Sequence, residues 1–337
     1  MNPRPPKVLY HGRPPHRVPD GARPIDAPRT VWFDCDTGVD DAVALLILRQ
    51  LDHLHVVGVS AVAGNAPLAL TAPNTLDVVQ LAGADWPVFA GAAKPLLRDQ
   101  ITAPYVHGQN GLGDIELPPS DRPLETGAAW DALYDAARAA DGLTVIAVGP
   151  LTNIALALIR HEDLPQYVDR IVIMGGAAVG GNVTPVAEFN IYADPEAAEV
   201  VFSSGIPVTM TGLDVTMQAY LTPEEHRRLG CLPSQQARFA HDCLIGAMAF
   251  SRSLGLPGIC LHDPAAVLTL HHPAMFRTYP AWVHVETHAA KAYGKTVTDV
   301  FSDHKKDERI HTVVTDVDRD AFKTMIFELL ERYNDDV

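Results

Sequence analysis

Cysteine is scarce in this chain of 337 residues, and its four copies form no recognisable pattern. Cys35, Cys231, Cys243 and Cys260 include no Cys-x-x-Cys pair, which excludes a zinc ribbon or a thioredoxin-like motif. Four cysteines in so long a chain do not make a disulfide scaffold, so reduced thiols in a cytoplasmic protein are expected. Positive charge is short too: 26 Lys and Arg stand against 41 Asp and Glu, for a formal net charge of −15. Binding to nucleic acid rests on clustered Lys and Arg, so no nucleic-acid partner is expected, whereas a neutral small molecule remains possible. No apolar run reaches the roughly 20 residues that span a bilayer, so no membrane partner is expected either. Residues Met1 to Arg29 lack the hydrophobic segment of a secretory signal and carry eight prolines, six Lys or Arg and two Asp. They read as a Pro-rich extension, extended or partly disordered or laid across the surface of one domain spanning 30–337.

Hydrophobic residues make up 47% of the chain, enough for a substantial core. From Thr30 onward, short β-branched apolar runs alternate with helical segments. Strands are predicted at Thr30–Asp34, His55–Val62, Leu143–Val148, Arg170–Met174 and Pro207–Thr211. Helices are predicted at Asp40–Gln50, Pro67–Ala82, Leu151–Arg160 and Pro195–Ser204. The strands are continuous apolar runs, the pattern of strands covered on both faces. The expected fold is α/β: a single domain with a mainly parallel, doubly wound sheet flanked by helices. Ligands in such folds sit beyond the carboxyl ends of the strands, so the loops after Phe33, Val62, Val148, Met174 and Met210 are the places to search.

The first of these loops, Asp34-Cys-Asp-Thr-Gly-Val-Asp-Asp41, places four carboxylates in eight residues between a strand and a helix. Gly38 would permit a tight turn. Four like charges repel one another unless a cation or strong donors offset them, and calcium and magnesium take oxygen ligands of this kind. Helix capping by Asp40 or Asp41 accounts for one carboxylate, not four. Two families share the start of the pattern. Haloacid-dehalogenase-type phosphatases use Asp-x-Asp-x-Thr, which fails at Gly38. Nucleoside hydrolases use Asp-x-Asp-x-Gly-x-Asp-Asp, which Asp34, Asp36, Gly38, Asp40 and Asp41 meet in full, with Thr37 where that family usually has proline.

Other motifs follow in the same order. Val59-Ser-Ala-Val-Ala-Gly-Asn65 ends a strand, and Val148-Gly-Pro-Leu-Thr-Asn-Ile154 opens a helix. Met174-Gly-Gly176 leads to Gly181-Asn-Val-Thr-Pro-Val-Ala-Glu-Phe-Asn190, and Leu261-His-Asp-Pro-Ala-Ala266 opens a later helix. Together they resemble the nucleoside hydrolase family, inosine-uridine preferring or pyrimidine ribonucleoside hydrolase-like, from about Thr30 to the C-terminus. The resemblance implies cleavage of the N-glycosidic bond of ribonucleosides, with calcium as cofactor. It implies calcium ligation by the side chains of Asp36, Asp41 and Asp263 and by the backbone carbonyl of Val148. Asp40 would be the general base on the attacking water, and Asp34 would orient the loop. Asn65, Asn182, Glu188 and Asn190 match positions that hold ribose hydroxyls, and Met174 one that lies along the sugar. An amide can both donate to and accept from a hydroxyl, which suits a diol. His262 and His107 match histidines on the base side, and Phe250 stands near the family's aromatic helix positions. A homodimer or homotetramer is implied as well. Simpler readings stand beside these: a helix cap for Asp263 ahead of Pro264, a turn for Asn182, a solvated loop for Glu188 and Asn190, and a structural role for His107. His241-Asp242 repeats the His-Asp pair but lies inside a helical run without the proline.

Two rival functions fit parts of the pattern. A magnesium-dependent phosphohydrolase would use Asp34 as nucleophile, but leaves Asp40-Asp41 and His262-Asp263 without a task. A non-catalytic calcium or ribose binder would have no need of a base at Asp40.

Overall fold

The computed structural model describes residues 28–301 and 308–334, so the expected N-terminal extension lies outside the described residues except for its last two. Eleven strands are present among them: β1 Arg29–Cys35, β2 Leu54–Ala61, β3 Val88–Ala90, β4 Leu143–Ala147, β5 Val168–Met174, β6 Val208–Thr211, β7 Tyr220–Leu221, β8 Ile259–Cys260, β9 Phe276–Val285, β10 Thr296–Asp299 and β11 His311–Val317. Nine of them form one sheet in the order β10-β9-β11-β6-β5-β4-β1-β2-β3, while β7 and β8 form a separate antiparallel pair. The pairs from β3 across to β11 are parallel, and β9 runs antiparallel to both β11 and β10. The expected mainly parallel, doubly wound sheet is present, with an antiparallel margin that the strand pattern did not foretell.

Burial on both faces explains the continuous apolar strands. In β1, Val31, Phe33 and Cys35 enter one core, and Trp32 between them enters the other. The first core is roofed by the helix Val39–Arg49, in which every residue from Val39 to Leu48 is buried. That helix packs against the helices Leu68–Leu81, Gln235–Cys243, His262–His271 and Arg319–Glu331. The second core lies under Ala129–Ala139, Thr152–Arg160 and Pro195–Phe202. The acidic loop that precedes Val39 thus leads directly into a helix enclosed by the core.

The chain runs from β1 outward to β2 and β3, then returns to the other side of β1 as β4. Winding reverses at the β1–β4 pair, and a crevice opens beyond their carboxyl ends, where open α/β sheets bind ligands. Among the described residues no helix is long and apolar enough to cross a membrane.

Candidate active site

A cleft of about 210 Å³ occupies that crevice. Asp40, Asn65, His107, Val148, Met174, Asn182, Glu188, Asn190, His262 and Asp263 all line it. These ten residues come from seven separate stretches of chain, so the sheet has gathered them. Asp36 and Asp41 lie beneath the lining and are fully buried.

The acidic loop folds around Asp41. One oxygen of Asp41 accepts from the backbone N–H of Asp36 at 3.1 Å, and the other from the N–H of Gly38 at 2.9 Å and from Asn65 Nδ2 at 3.2 Å. Asp41 thus caps the start of its own helix by reaching back, and also belongs to the acidic cluster. Asp36 Oδ2 accepts from the N–H of Asn65 at 2.6 Å, whereas its Oδ1 is buried with no partner among the described residues. Oxygens of Asp40, Asp41 and Asp263 all lie within 4.8 Å of one another. Burial, and then the neighbouring carboxylates, push Asp36 and Asp263 well above the usual carboxylate range. Burial, and then Asp40, push Asp41 up to about 6. Negative charge packed this way is costly unless protons or a cation accompany it. The donors are all oxygen, one of them is unpartnered, and the set fits a hard divalent cation. The Val148 carbonyl accepts from Asn190 Nδ2 at 2.7 Å and keeps a second lone pair, so it can also contribute.

Gly38 serves this loop differently from the turn expected of it. Its φ of −101° is open to any residue. A methyl group there would instead overlap Nδ1 of His107 and crowd Asn65, and one on Gly64 would overlap Oδ2 of Asp36. Close approach is what excludes a side chain at both positions. His107, at the end of the short helix Pro104–His107, packs into the space and accepts the Val39 N–H through Nδ1 at 3.2 Å. A backbone N–H can only donate, so neutral His107 carries its hydrogen on Nε2. Burial lowers its pKa and favours that neutral form. His262 opens the helix His262–His271 and pairs through Nδ1 with Thr216 Oγ1 at 2.8 Å. Burial lowers its pKa as well, opposed by Asp40.

Asp34 sits one layer lower. It is fully buried, outside the cleft lining, and accepts from Asn153 Nδ2 at 2.7 Å and from the Ser60 hydroxyl, which is itself held by Trp32 Nε1. Burial raises its pKa to about 7. A carboxylate enclosed this way cannot attack a phosphate ester, which removes the phosphohydrolase reading. These contacts tie Asp34 to β2 and to the helix Thr152–Arg160.

The residues expected to hold the sugar divide. Glu188 is no solvated loop residue: it is buried and caps the helix Phe189–Ala193, accepting the N–H groups of Gly176, Asn190 and Ile191 at 2.9, 2.9 and 3.2 Å. Burial pushes it up to about 7 despite those donors. Asn190 is also buried, with Nδ2 turned to the carbonyls of Val148 and Met174. Asn182 is exposed at the rim. The loop that carries it is pinned by Asp214, which accepts the N–H groups of Ala178 and Val179 at 2.7 and 3.1 Å, and by Lys295, which donates to the carbonyls of Ala177 and Ala178. The far wall is apolar: Met217, Leu254, Leu256, Ile259 and Phe250, whose ring lies 5.4 Å from that of Tyr105. His241 lies outside the cleft lining, stacked on His226 at 4.4 Å.

Sequence reasoning missed Ser60, Asn153, Asp214, Thr216 and the apolar wall apart from Phe250. Asn153 had a signal, since it stands in a motif after a strand. Thr216 had none, because its partner lies 46 residues away.

Comparison with known proteins agrees with this geometry. The family model described as inosine-uridine preferring nucleoside hydrolase matches residues 31–324. The chain is 40% identical over 310 residues to a pyrimidine-specific ribonucleoside hydrolase, RihA, of Shewanella sp. (strain MR-7), covering 90% of this chain and 97% of that one. It is 39% identical to the protein of the same name from Photobacterium profundum, covering 90% and 99%. Among solved structures, it matches a purine-preferring ribonucleoside hydrolase from Gardnerella vaginalis with a TM-score of 0.86 and 30% identity, covering 92% of this chain and all of that one.

Proposed function

The chain belongs to the inosine-uridine preferring nucleoside hydrolase family and is a metal-dependent ribonucleoside hydrolase, and from that premise we propose how its own residues cut the bond between base and ribose. The observation that carries the proposal is the convergence of Asp40, Asp41 and Asp263 at the floor of a cleft with amide side chains on one wall and apolar ones on the other.

Asp36, Asp41, Asp263 and the Val148 carbonyl would hold a hard divalent cation, and the resemblance makes calcium the expected one. When bound there, such a cation would orient water and make it more acidic. Asp40 lines the cleft and takes the proton as water attacks the anomeric carbon. The C–N bond breaks, its electron pair leaves with the base, and positive charge develops on the ribose. The buried carboxylates lie where that charge forms and favour it. Asn65, Asn182, Glu188 and Asn190 hold the sugar hydroxyls, with Met174 along the ring. His262 presents a hydrogen to the departing base, and His107 lies on the same side. Phe250 packs on the base and cannot hydrogen-bond it.

We infer a preference for pyrimidine ribonucleosides from the 40% identity to the Shewanella enzyme, and a role in salvaging bases. A cytoplasmic setting is supported by four unpaired cysteines. A homodimer or homotetramer rests on the resemblance, and light scattering after size exclusion tests it. The function itself is tested by a panel of uridine, cytidine, inosine and guanosine scored by free ribose, with and without chelator. Ribose release from uridine and cytidine that stops with EGTA and returns with calcium is expected. No ribose release from any nucleoside would overturn the proposal, and a purine-first ranking would overturn the preference alone.

A further inference from the structure

His262 faces the cleft, but nothing yet explains which of its nitrogens carries the hydrogen. The answer lies outside the cleft lining, on the four-residue helix Leu213–Thr216 that follows β6. That helix is clamped on two sides. The Leu213 N–H donates to the Gly176 carbonyl at 2.9 Å, and Asp214 holds the N–H groups of Ala178 and Val179. Thr216 at its end is fully buried.

A buried hydroxyl proton without an acceptor costs about 1–3 kcal/mol, so native structures nearly always give it one. Among the described residues the partner of Thr216 Oγ1 is His262 Nδ1 at 2.8 Å. A helical threonine often turns its hydroxyl back to the carbonyl four residues earlier. Among the described residues Thr216 Oγ1 makes no such bond to the Gly212 carbonyl, which accepts the backbone N–H groups of Val215 and Thr216. If Nδ1 carried the hydrogen and the hydroxyl accepted it, the hydroxyl's own proton would be left without a partner in a dry interior.

We propose that Thr216 is a positioning residue that donates its hydroxyl hydrogen to Nδ1 of His262 and so keeps the ring's own hydrogen on Nε2, directed to the leaving base. His107 reaches the same tautomer by another route, through the Val39 N–H. The two base-side histidines thus both present an N–H, one set by the main chain and the other by a single hydroxyl. The inference rests on the nucleosidase reading, and its test is arranged so that the two can fail separately.

The test uses the calcium-loaded enzyme with Thr216→Val, which keeps the shape and removes the hydroxyl, and Thr216→Ser, which restores it. Losing the group that orients a functional histidine typically costs about 10–100-fold. Thr216→Val is expected to lower kcat on uridine by that factor, with KM within a few-fold. Nitrophenyl riboside, whose leaving group departs without a proton, should be cleaved within a few-fold of wild type. Thr216→Ser should recover most of the uridine rate. Nitrogen-15 spectra of wild type should show His262 with a protonated Nε2 and an acceptor Nδ1. Equal losses on both substrates, no recovery with serine, or a hydrogen on Nδ1 in wild type would each overturn the role of Thr216. Wild type that releases no ribose from any nucleoside overturns the nucleosidase reading instead, and the spectrum still reports the tautomer.

Discussion

Glu188→Gln isolates one buried charge from the rest of the site. The wild-type carboxylate is 2% exposed, and burial raises its pKa from 4.5 to about 7 in spite of three backbone donors. Below about pH 4.5 the group is neutral in both folded and unfolded chains. As pH rises, the unfolded chain ionises first, so the folded state binds more protons and stability falls until the folded group ionises too. From the two pKa values, the change between pH 5 and pH 8 is about 2–3 kcal/mol. Glutamine does not titrate, and its –NH2 cannot accept one of the three N–H groups, which adds a pH-independent cost of about 1–3 kcal/mol. Urea unfolding of the chelator-treated proteins at both pH values reads the two terms separately. Wild type should lose about 2–3 kcal/mol more than the variant between pH 5 and pH 8. The carboxylates of the acidic loop titrate in both proteins and cancel in the comparison. An identical pH dependence for the two proteins would refute the assignment of a raised pKa to Glu188.

Asp40→Asn should lower kcat by about 10²–10⁴-fold while nucleoside affinity stays within a few-fold, read by single-turnover kinetics and calorimetry; near-normal turnover would remove Asp40 from the base role. Chelation should abolish turnover and lower the melting temperature, and added calcium should restore both. Turnover that persists in a preparation free of metal contradicts the metal site. His262→Ala should lose much of the activity on uridine yet keep most of it on nitrophenyl riboside, and parallel losses would point to support of Asp263 instead. Asn153→Ala strips donors from Asp34 and the Ala61 carbonyl and the acceptor from the Ala92 N–H. It should cost about 2–5 kcal/mol in urea unfolding, and an unchanged midpoint would argue against the buttress.

The parallel half of the sheet was legible because strands buried on both faces have no polar positions to blur them. The predicted strands at Thr30–Asp34, Leu143–Val148 and Pro207–Thr211 each fall within a residue or two of β1, β4 and β6. The antiparallel margin gave a poorer signal. β9 contains Pro280, which argues against a strand, and its exposed face mixes Arg277, Thr278 and His284 among the apolar residues. The residues that line the cleft were legible wherever a motif kept them close along the chain. Their supports were not, because a hydrogen bond such as Asn153 to Asp34 spans 119 residues and leaves no local pattern. Glu188 shows the middle case: its place in the motif was plain, but its work as a helix cap depends on where the Gly176 N–H comes to lie.

The absence of room beside Gly38 and Gly64 bears on how such an enzyme can diverge. Any side chain at either position would push into His107, Asn65 or Asp36, so substitution there disturbs the site. At the mouth, Tyr105, Val183 and Leu254 are 59%, 37% and 60% exposed and leave room for other side chains. Variation is therefore channelled to the mouth of the cleft, while the packed floor is held fixed. A lineage built on this floor can reshape the rim of its cleft more readily than the acidic centre beneath it.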